Sequence, residues 1–216
     1  MAVGYDAGKY SQGSVATALG AEAGKFYQST TATAVGTRAG NWNQSAGAIA
    51  IGKSAAENIS NTGVQGFNSI AVGNSAGYIA QSTSAIAIGA YAGLAYQGQY
   101  SIAIGANAGR DPGGSSVQAI GNNSIILNAT GSSFAGNTAS AFYVTPIRAV
   151  DGANVSLSYN TTTNEVSYSA NTFVSNTYVP STTGSAGTIG QISFDDGYVY
   201  ICVGTNSWKR ANLSTW

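Results

Sequence analysis

The chain has 216 residues, with only 8 basic and 8 acidic residues, a formal net charge of zero and no histidine. So few Lys and Arg residues, with no basic stripe, argue against nucleic-acid binding and a polybasic membrane contact, and no apolar run approaches the roughly 18 residues of a membrane span. The lack of histidine excludes histidine-based triads and metal sites, and the single Cys202 permits no internal disulfide, so we expect no metal, no cofactor and no membrane insertion.

A short repeat organises the first part of the chain, and a clear copy is Ala85-Ile86-Ala87-Ile88-Gly89. Its central glycine recurs at spacings of 16, 16, 16, 21, 16, 16 and 16 residues, at Gly4, Gly20, Gly36, Gly52, Gly73, Gly89, Gly105 and Gly121. An aliphatic residue precedes each glycine and an alanine precedes that residue, an alternation typical of a β-strand. A fixed short period is typical of a solenoid. The sequence therefore predicts an all-β fold, a parallel β-solenoid (β-roll) of about eight 16-residue coils over residues 1–128.

The two faces of each repeat strand differ in size. We expect the large side chains, such as Ile88, to fill the inside of the coil, and the alanine row of Ala87 to lie against a neighbouring wall or chain. Paired glycines such as Gly89 and Gly93 suit tight turns. Because each coil buries few apolar side chains, the solenoid has too little core alone, and we expect an obligate oligomer.

A glutamine recurs after the central glycine, eight residues on at Gln12, Gln28, Gln44, Gln81 and Gln97, and thirteen residues on from Gly52 at Gln65. Stacked at strand spacing, these amides predict a hydrogen-bonded ladder. The same register places five extra residues between Ala55 and Val64. We expect an exposed loop there, with Glu57, Asn58 and Asn61 as candidate recognition residues. A tolerated insertion without a function is the alternative.

The string Ser101-Ile102-Ala103-Ile104-Gly105-x-x-Ala-Gly resembles the head repeat of trimeric autotransporter adhesins (YadA-like heads) and related repeats in phage and viral fibres. The resemblance covers about residues 1–128. It implies a left-handed parallel roll, with three rolls packed around one axis, and therefore a homotrimer. The coil of 16 residues differs from the shorter repeat usual in the bacterial heads.

The remaining chain predicts small β-rich modules. Residues 129–180 are interpreted as a linker, with small polar residues up to Ala141 and an extended Phe142–Arg148, followed by a β-hairpin around Asn160–Asn164. Residues 181–216 predict a β tip, with a strand ending at Phe194, a tight turn and a second strand. The tip resembles the C-terminal module of cyanophage and marine-phage tail proteins.

Aromatic and basic residues crowd the tip, and they are our candidate receptor-binding residues: Tyr198, Tyr200, Trp208, Lys209, Arg210 and Trp216. Aromatic rings stack on sugar faces, and cationic side chains hold acidic glycans. The alternative is that these rings form the core of a small trimeric cap. The neighbouring Asp195 and Asp196 are interpreted as a hairpin turn, with a calcium site shared between chains as the alternative. We expect no enzyme, because a glycosidase needs two carboxylates across a cleft.

Taken together, these features predict a structural fibre or adhesin protein, the distal part of a phage or viral tail fibre that attaches the virion to a glycan or protein receptor on the host-cell surface. Such a fibre implies an N-terminal attachment partner on the virion, outside this chain. Two alternatives stay open. One is a purely structural trimeric filament or spacer, and the other is the head of a bacterial surface adhesin, located on the extracellular surface.

Overall fold

The computed structural model describes residues 1–58, 63–112, 120–147, 156–169, 179–187 and 189–215, which divide between two units, Met1–Arg148 and Ala149–Trp216. Each described strand is short, and those of the first unit are β1 (Ala2–Val3), β2 (Thr17–Leu19), β3 (Thr33–Val35), β4 (Ile49–Ile51), β5 (Ile70–Val72), β6 (Ile79–Gln81), β7 (Ile86–Ile88), β8 (Ala95–Gln97), β9 (Ile102–Ile104), β10 (Ile125–Asn128) and β11 (Phe142–Thr145). Nine of them form one parallel sheet, in the order β1-β2-β3-β4-β5-β7-β9-β10-β11. β6 and β8 pair in a second parallel sheet. The predicted all-β parallel solenoid of about eight coils is confirmed.

The sixteen-residue period sets the strand register. Ala18 lies opposite Ala34, and Ala71 lies opposite Ala87, so equivalent residues of successive coils stack on one another. The central glycine turns the chain after each strand. At Gly89, φ is 125°, and a Cβ there would lie 2.7 Å from the carbonyl carbon of Gly105, so only glycine fits this conformation and this spacing.

The alanine row fills the inside of the roll. Ala50, Ala87 and their equivalents are completely buried, whereas Leu19, Ile51 and Ile88 are each about 40% exposed on the outer face. The expectation that large residues fill the coil was therefore wrong, and the two faces are exchanged. The reason is the narrowness of the coil: a Cβ added at Gly93 would lie 3.1 Å from the Cβ of Ala87. Opposite walls this close accommodate a methyl group and no branched side chain.

The predicted glutamine ladder is confirmed within two runs. The Nε2 of Gln28 donates to Gln44 Oε1 at 3.0 Å, and the Nε2 of Gln81 donates to Gln97 Oε1 at 3.1 Å. All of these amides are buried. Between Gln44 and Gln65 the ladder is interrupted, and the buried Oε1 of Gln65 has no hydrogen-bond partner among the described residues.

An aromatic stack runs beside the first glutamine run. Tyr10, Phe26 and Trp42 lie opposite one another in successive coils. Their ring centroids are 5.0 Å apart for Tyr10 and Phe26 and 3.9 Å apart for Phe26 and Trp42, with nearly parallel planes. The rings cover each other's faces, so this stack stabilises coil-to-coil packing and leaves mainly ring edges accessible.

The inserted residues begin later than expected. Glu57 and Asn58 are buried, and the amide of Asn58 donates to the carbonyl oxygen of Tyr78 at 2.9 Å. The Asn58 side chain donates to Trp42 O at 3.2 Å and accepts from the amide of Ala80 at 2.9 Å. The expectation that Glu57 and Asn58 lie in an exposed loop was wrong, because both continue the coil. Asn61 lies outside the described residues.

The last coils depart from the repeat. Ile120 lies opposite Gln97, and β10 pairs with β9, so Asn128 occupies the place of the next central glycine after Gly105. The prediction that Gly121 marks an eighth copy was therefore wrong. The glutamine ladder therefore ends at Gln97, because the apolar side chain of Ile120 has no hydrogen-bond donor or acceptor.

Larger apolar residues close this end of the roll. Ile126 takes the interior position of Ala103 and lies opposite Tyr143 in β11. Ile120 and Ile126 are buried, with Phe134 and Tyr143 packed against them. Phe134 belongs to the segment predicted as a linker, yet its carbonyl oxygen accepts from the amide of Gly109 at 2.7 Å. Part of this segment therefore forms a further coil, and the sheet extends beyond residue 128 to Thr145.

The second unit contains two antiparallel sheets. β12 (Ser156–Asn160) and β13 (Glu165–Ser169) form the predicted hairpin. β14 (Ile192–Phe194), β15 (Tyr198–Gly204) and β16 (Ser207–Asn212) form a three-stranded sheet in chain order, which confirms the predicted strand, turn and strand. Across the segments that the structure describes, no helix is long and apolar enough to cross a membrane.

Candidate functional site

The three-stranded sheet gathers the aromatic residues of the tip on one face. Tyr200 lies directly opposite Arg210, and Cys202 lies directly opposite Trp208. Because alternate residues of a strand point to the same face, these four side chains share one side of the sheet with Tyr198. Tyr200 and Trp208 are only 7% and 4% exposed, and with Cys202 they form a small core.

The polar atoms of these rings are bonded within the module. The indole N–H of Trp208 donates to the carbonyl oxygen of Ser185 at 3.0 Å, and the Trp208 amide donates to the carbonyl oxygen of Thr183 at 2.9 Å. The Tyr200 hydroxyl donates to Asp195 Oδ2 at 2.7 Å. These bonds hold the rings in one orientation and fasten the segment around Thr183 and Ser185 to the sheet.

Asp195 closes the turn between β14 and β15, as predicted. Its Oδ1 accepts from the amides of Gly197 and Tyr198, each at 2.8 Å. The hydrogen bond from the Tyr200 hydroxyl, followed by that from the Gly197 amide, lowers the pKa of the Asp195 carboxyl below its ordinary value. The same bond to Asp195, reinforced by burial, raises the pKa of Tyr200. Within the described residues, no three His, Cys, Asp or Glu side chains are grouped as a metal site would require.

A groove of about 540 Å³ opens beside this core. Its volume falls in the range of small-molecule sites. Its lining combines ring surface, hydroxyl groups and cationic residues, and consists of Pro180, Ser181, Thr182, Thr183, Tyr200, Trp208, Lys209 and Arg210.

The two neighbouring cations, Lys209 and Arg210, lie on different faces of the sheet. Arg210 lies opposite Tyr200, on the face of the aromatic core, and its guanidinium stands 4.2 Å from the ring centroid of Tyr198. Lys209 lies opposite Ile201, so the alternation of β16 directs its side chain to the other face. Both cations are exposed, and neither forms a salt bridge with a described residue.

Five of the six predicted receptor-binding residues therefore lie in one small sheet. Tyr200 and Trp208 are core residues whose remaining exposed surface lines the groove, while Trp216 lies outside the described residues. Sequence reasoning missed the wall formed by residues 180–183, which lies at the boundary of the predicted linker and tip and to which no site residue had been assigned. No local signal identifies it, because its place depends on the hydrogen bonds between Trp208 and the residues near Thr183.

A second feature with functional potential is the outer aliphatic row of the roll, defined by the last residue of each strand preceding a central glycine. The row is exposed along the sheet at Val3, Leu19, Ile51, Ile88 and Ile104. An extended apolar surface of this kind marks an interaction site in soluble proteins.

Two shallow grooves also flank the insertion, with volumes of about 400 and 380 Å³. They share Ser45, Val64 and Phe67, and Val64 and Phe67 are exposed. No charged side chain lines either groove among the described residues.

Comparison with known proteins gives a short, partial similarity to phage capsule depolymerases. One relative, "Depolymerase, capsule K30/K69-specific" of Klebsiella phage K64-1, is 53% identical over 38 residues, which cover 18% of this chain and 5% of that protein. Another, "Depolymerase 1, capsule K30/K69-specific" of Klebsiella phage K5-2, is 47% identical over 36 residues, or 17% of this chain and 4% of that protein. The match thus spans about a twentieth of each relative. No family model matches, so the resemblance to YadA-like heads is not confirmed, and no solved structure matches.

Proposed function

We propose that this chain is part of a phage tail fibre or tail spike that attaches the virion to the host-cell surface, and that the groove of the C-terminal sheet binds a surface saccharide. The groove itself is the observation that carries the proposal, because it combines fixed aromatic surface with exposed hydroxyls and a cation. The partial similarity to two phage proteins with capsule-specific names supports it.

The lining suits a sugar. The apolar C–H faces of a pyranose favour contact with ring surface, which Trp208 and Tyr200 supply at the floor. Ser181, Thr182 and Thr183 place exposed hydroxyl and backbone groups along the wall, where they meet sugar hydroxyls. Because the ring N–H and O–H groups are already bonded internally, the floor needs no reordering on binding, and preorganisation of this kind favours affinity.

We propose that the groove binds without cleaving. Hydrolysis of a glycoside uses two carboxyl groups on either side of the scissile bond. Among the described residues that line the groove there is no Asp or Glu. The nearby Asp195 accepts three hydrogen bonds from its own turn and from Tyr200, which occupies both of its oxygens.

We also propose that the outer aliphatic row of the roll packs against further copies of this chain. Residues such as Leu19, Ile51 and Ile88 each remain about 40% exposed in the single chain. Fully burying a side chain of this size contributes about 1.5–3 kcal/mol, so burying the remaining two-fifths contributes about 1 kcal/mol at each position, and a row repeated along the sheet favours association. The number three, for a homotrimer, is what the resemblance to YadA-like heads implies.

The test of saccharide binding is an array of purified bacterial capsular polysaccharides probed with the full chain. Ser181→Trp fills the groove from its exposed wall, whereas Thr205→Trp adds the same ring at an exposed turn that does not line the groove. We expect the native chain and Thr205→Trp to bind one or more polysaccharides, and Ser181→Trp to lose that binding with an unchanged circular dichroism spectrum.

Equal binding by the two tryptophan variants would show that the saccharide binds outside the groove. If neither the native chain nor any variant binds any polysaccharide, attachment through a saccharide is wrong, and the purely structural filament becomes the better interpretation.

A further inference from the structure

We infer that the saccharide bound in the C-terminal groove carries a carboxylate, as a uronic acid does, and that Arg210 and not Lys209 recognises it. The inference rests on the proposed saccharide-binding function and adds the chemical class of the ligand. It depends on the sign of the charge in the groove, the face on which each cation lies, and the way in which Arg210 is held.

The charged residues at the groove have one sign. Lys209 and Arg210 border it, and no acidic residue lines it among those that the structure describes. A groove lined by cations and by no acidic residue favours an anionic partner over a neutral one of the same shape. The chain as a whole has no net charge, so the preference is local to the groove and does not come from general attraction.

Only one of the two cations faces the ligand. Arg210 shares the face of Tyr200 and Trp208, which form the floor, whereas Lys209 shares the opposite face with Ile201. Although Lys209 borders the groove, its side chain leaves β16 on the face opposite to the floor. The groove therefore offers a single guanidinium, which fits one carboxylate per bound saccharide unit.

The Arg210 guanidinium is held in place by two tyrosines. It stacks over Tyr198 at 4.2 Å, which covers one face of the planar group, and it interacts with the Tyr200 hydroxyl, which engages part of its donor edge. A guanidinium has five N–H donors, so others stay available to a ligand. Asp195 is close enough for Arg210 to lower its pKa, but both Asp195 oxygens accept hydrogen bonds from other groups, and Arg210 forms no salt bridge with a described residue. Arg210 also contributes least among the groups that lower the Asp195 pKa.

A stacked guanidinium with N–H donors still available matches a carboxylate in geometry as well as in charge. Two parallel N–H groups bind the two carboxylate oxygens, and such paired bonds are about twice as strong as neutral hydrogen bonds. The hydroxyl-bearing wall at Ser181 and Thr182 then lies beside the rest of the sugar ring. A lysine in place of Arg210 would keep the charge but would lose the two-point geometry.

The test is saturation-transfer NMR on the full chain at neutral pH and physiological salt. Three probes are compared, each at millimolar concentration. These probes are D-glucuronate, its methyl ester and D-glucose, which share a ring and differ at one carbon. Arg210→Gln and Lys209→Gln remove the same charge from opposite faces of β16. We expect glucuronate to bind the native chain about tenfold more tightly than the ester or glucose. We expect Arg210→Gln to abolish this preference, Lys209→Gln to retain it and Arg210→Lys to keep part of it.

The outcomes separate the inference from the function beneath it. Equal binding of the three probes by the native chain overturns the acidic ligand but leaves saccharide binding in place. An equal loss in Arg210→Gln and Lys209→Gln overturns the assignment to Arg210. Failure of all three probes to bind contradicts saccharide binding in the groove itself. If Arg210→Gln does not fold, the glucuronate-to-ester ratio in the native chain and in Arg210→Lys still decides the question.

Discussion

Replacing Gln81 by leucine tests whether the glutamine ladder holds the coils together. Gln81 is buried, and its Nε2 donates to Ile70 O at 2.7 Å, to Ala85 O at 3.1 Å and to Gln97 Oε1 at 3.1 Å. Leucine has a similar volume and no donor. The substitution therefore removes the hydrogen bonds with little change in packing.

The loss of the Gln81 donor affects the three acceptor oxygens differently. The carbonyl oxygen of Ala85 still accepts a hydrogen bond from the amide of Ile70, so it loses one of two hydrogen bonds. Gln97 Oε1 loses the amide donor from the preceding coil and is left as a buried unpaired oxygen, which costs about 1–3 kcal/mol. Adding the weaker losses at the two carbonyl groups gives about 2–4 kcal/mol, a large part of the 5–15 kcal/mol that stabilises a typical domain.

The matched control is Gln12→Leu, at the first coil. Gln12 makes the same type of bonds, to Met1 O at 3.0 Å and to Gln28 Oε1 at 3.2 Å, but its side chain is only partly buried. Water replaces a donor lost at an accessible site, so we expect a cost of about 1 kcal/mol or less.

Thermal unfolding of both variants by far-ultraviolet circular dichroism gives the comparison. At about 2–4 °C per kcal/mol for a chain of this size, we expect the melting temperature to fall by about 5–15 °C for Gln81→Leu and by less than about 4 °C for Gln12→Leu. Hydrogen exchange of the amides around Ala85 locates the effect, since repeat arrays can open locally. Equal shifts in the two variants, or a shift below about 2 °C for Gln81→Leu, would refute the reasoning.

Two further predictions concern the faces of the roll and the turn of the tip. Ala87→Leu places a branched side chain inside the narrow coil and should abolish folding, and a folded variant would contradict the assignment of the faces. Ile88→Ser on the outer row should keep the circular dichroism spectrum and lower the mass measured by light scattering, and an unchanged mass would contradict the packing of this row against further copies. Because the Asp195 pKa lies below its ordinary value of 3.8, the stability that its ionised form contributes is present above that value and is lost as pH falls through the lowered pKa. The protection factors of the β15 and β16 amides, which are exchange rates corrected for the intrinsic effect of pH, should therefore fall in acid for the native chain and change little for Asp195→Asn. Identical pH profiles of the protection factors would argue against the role of the carboxylate.

Much of the solenoid follows from the sequence because its information is periodic. A spacing of sixteen residues places Gln81 opposite Gln97, and parallel stacking then dictates the ladder without knowledge of the tertiary structure. Likewise, the alternation around Asn160–Asn164 and the turn at Asp195 specify hairpins through local contacts. In each case the partners are determined by a repeat or by a turn.

The tertiary structure decided what depends on space and on distant partners. The alternation shows that Ala87 and Ile88 occupy different faces, but only the width of the coil determines that the alanine lies inside. Ile120 stands in the place of the next ladder glutamine although 23 residues, and not 16, separate it from Gln97, which a count from glycine to glycine misses. The groove also depends on contacts between distant residues. Its wall near Thr183 reaches Trp208 through hydrogen bonds between residues far apart in sequence, and no local pattern encodes such contacts.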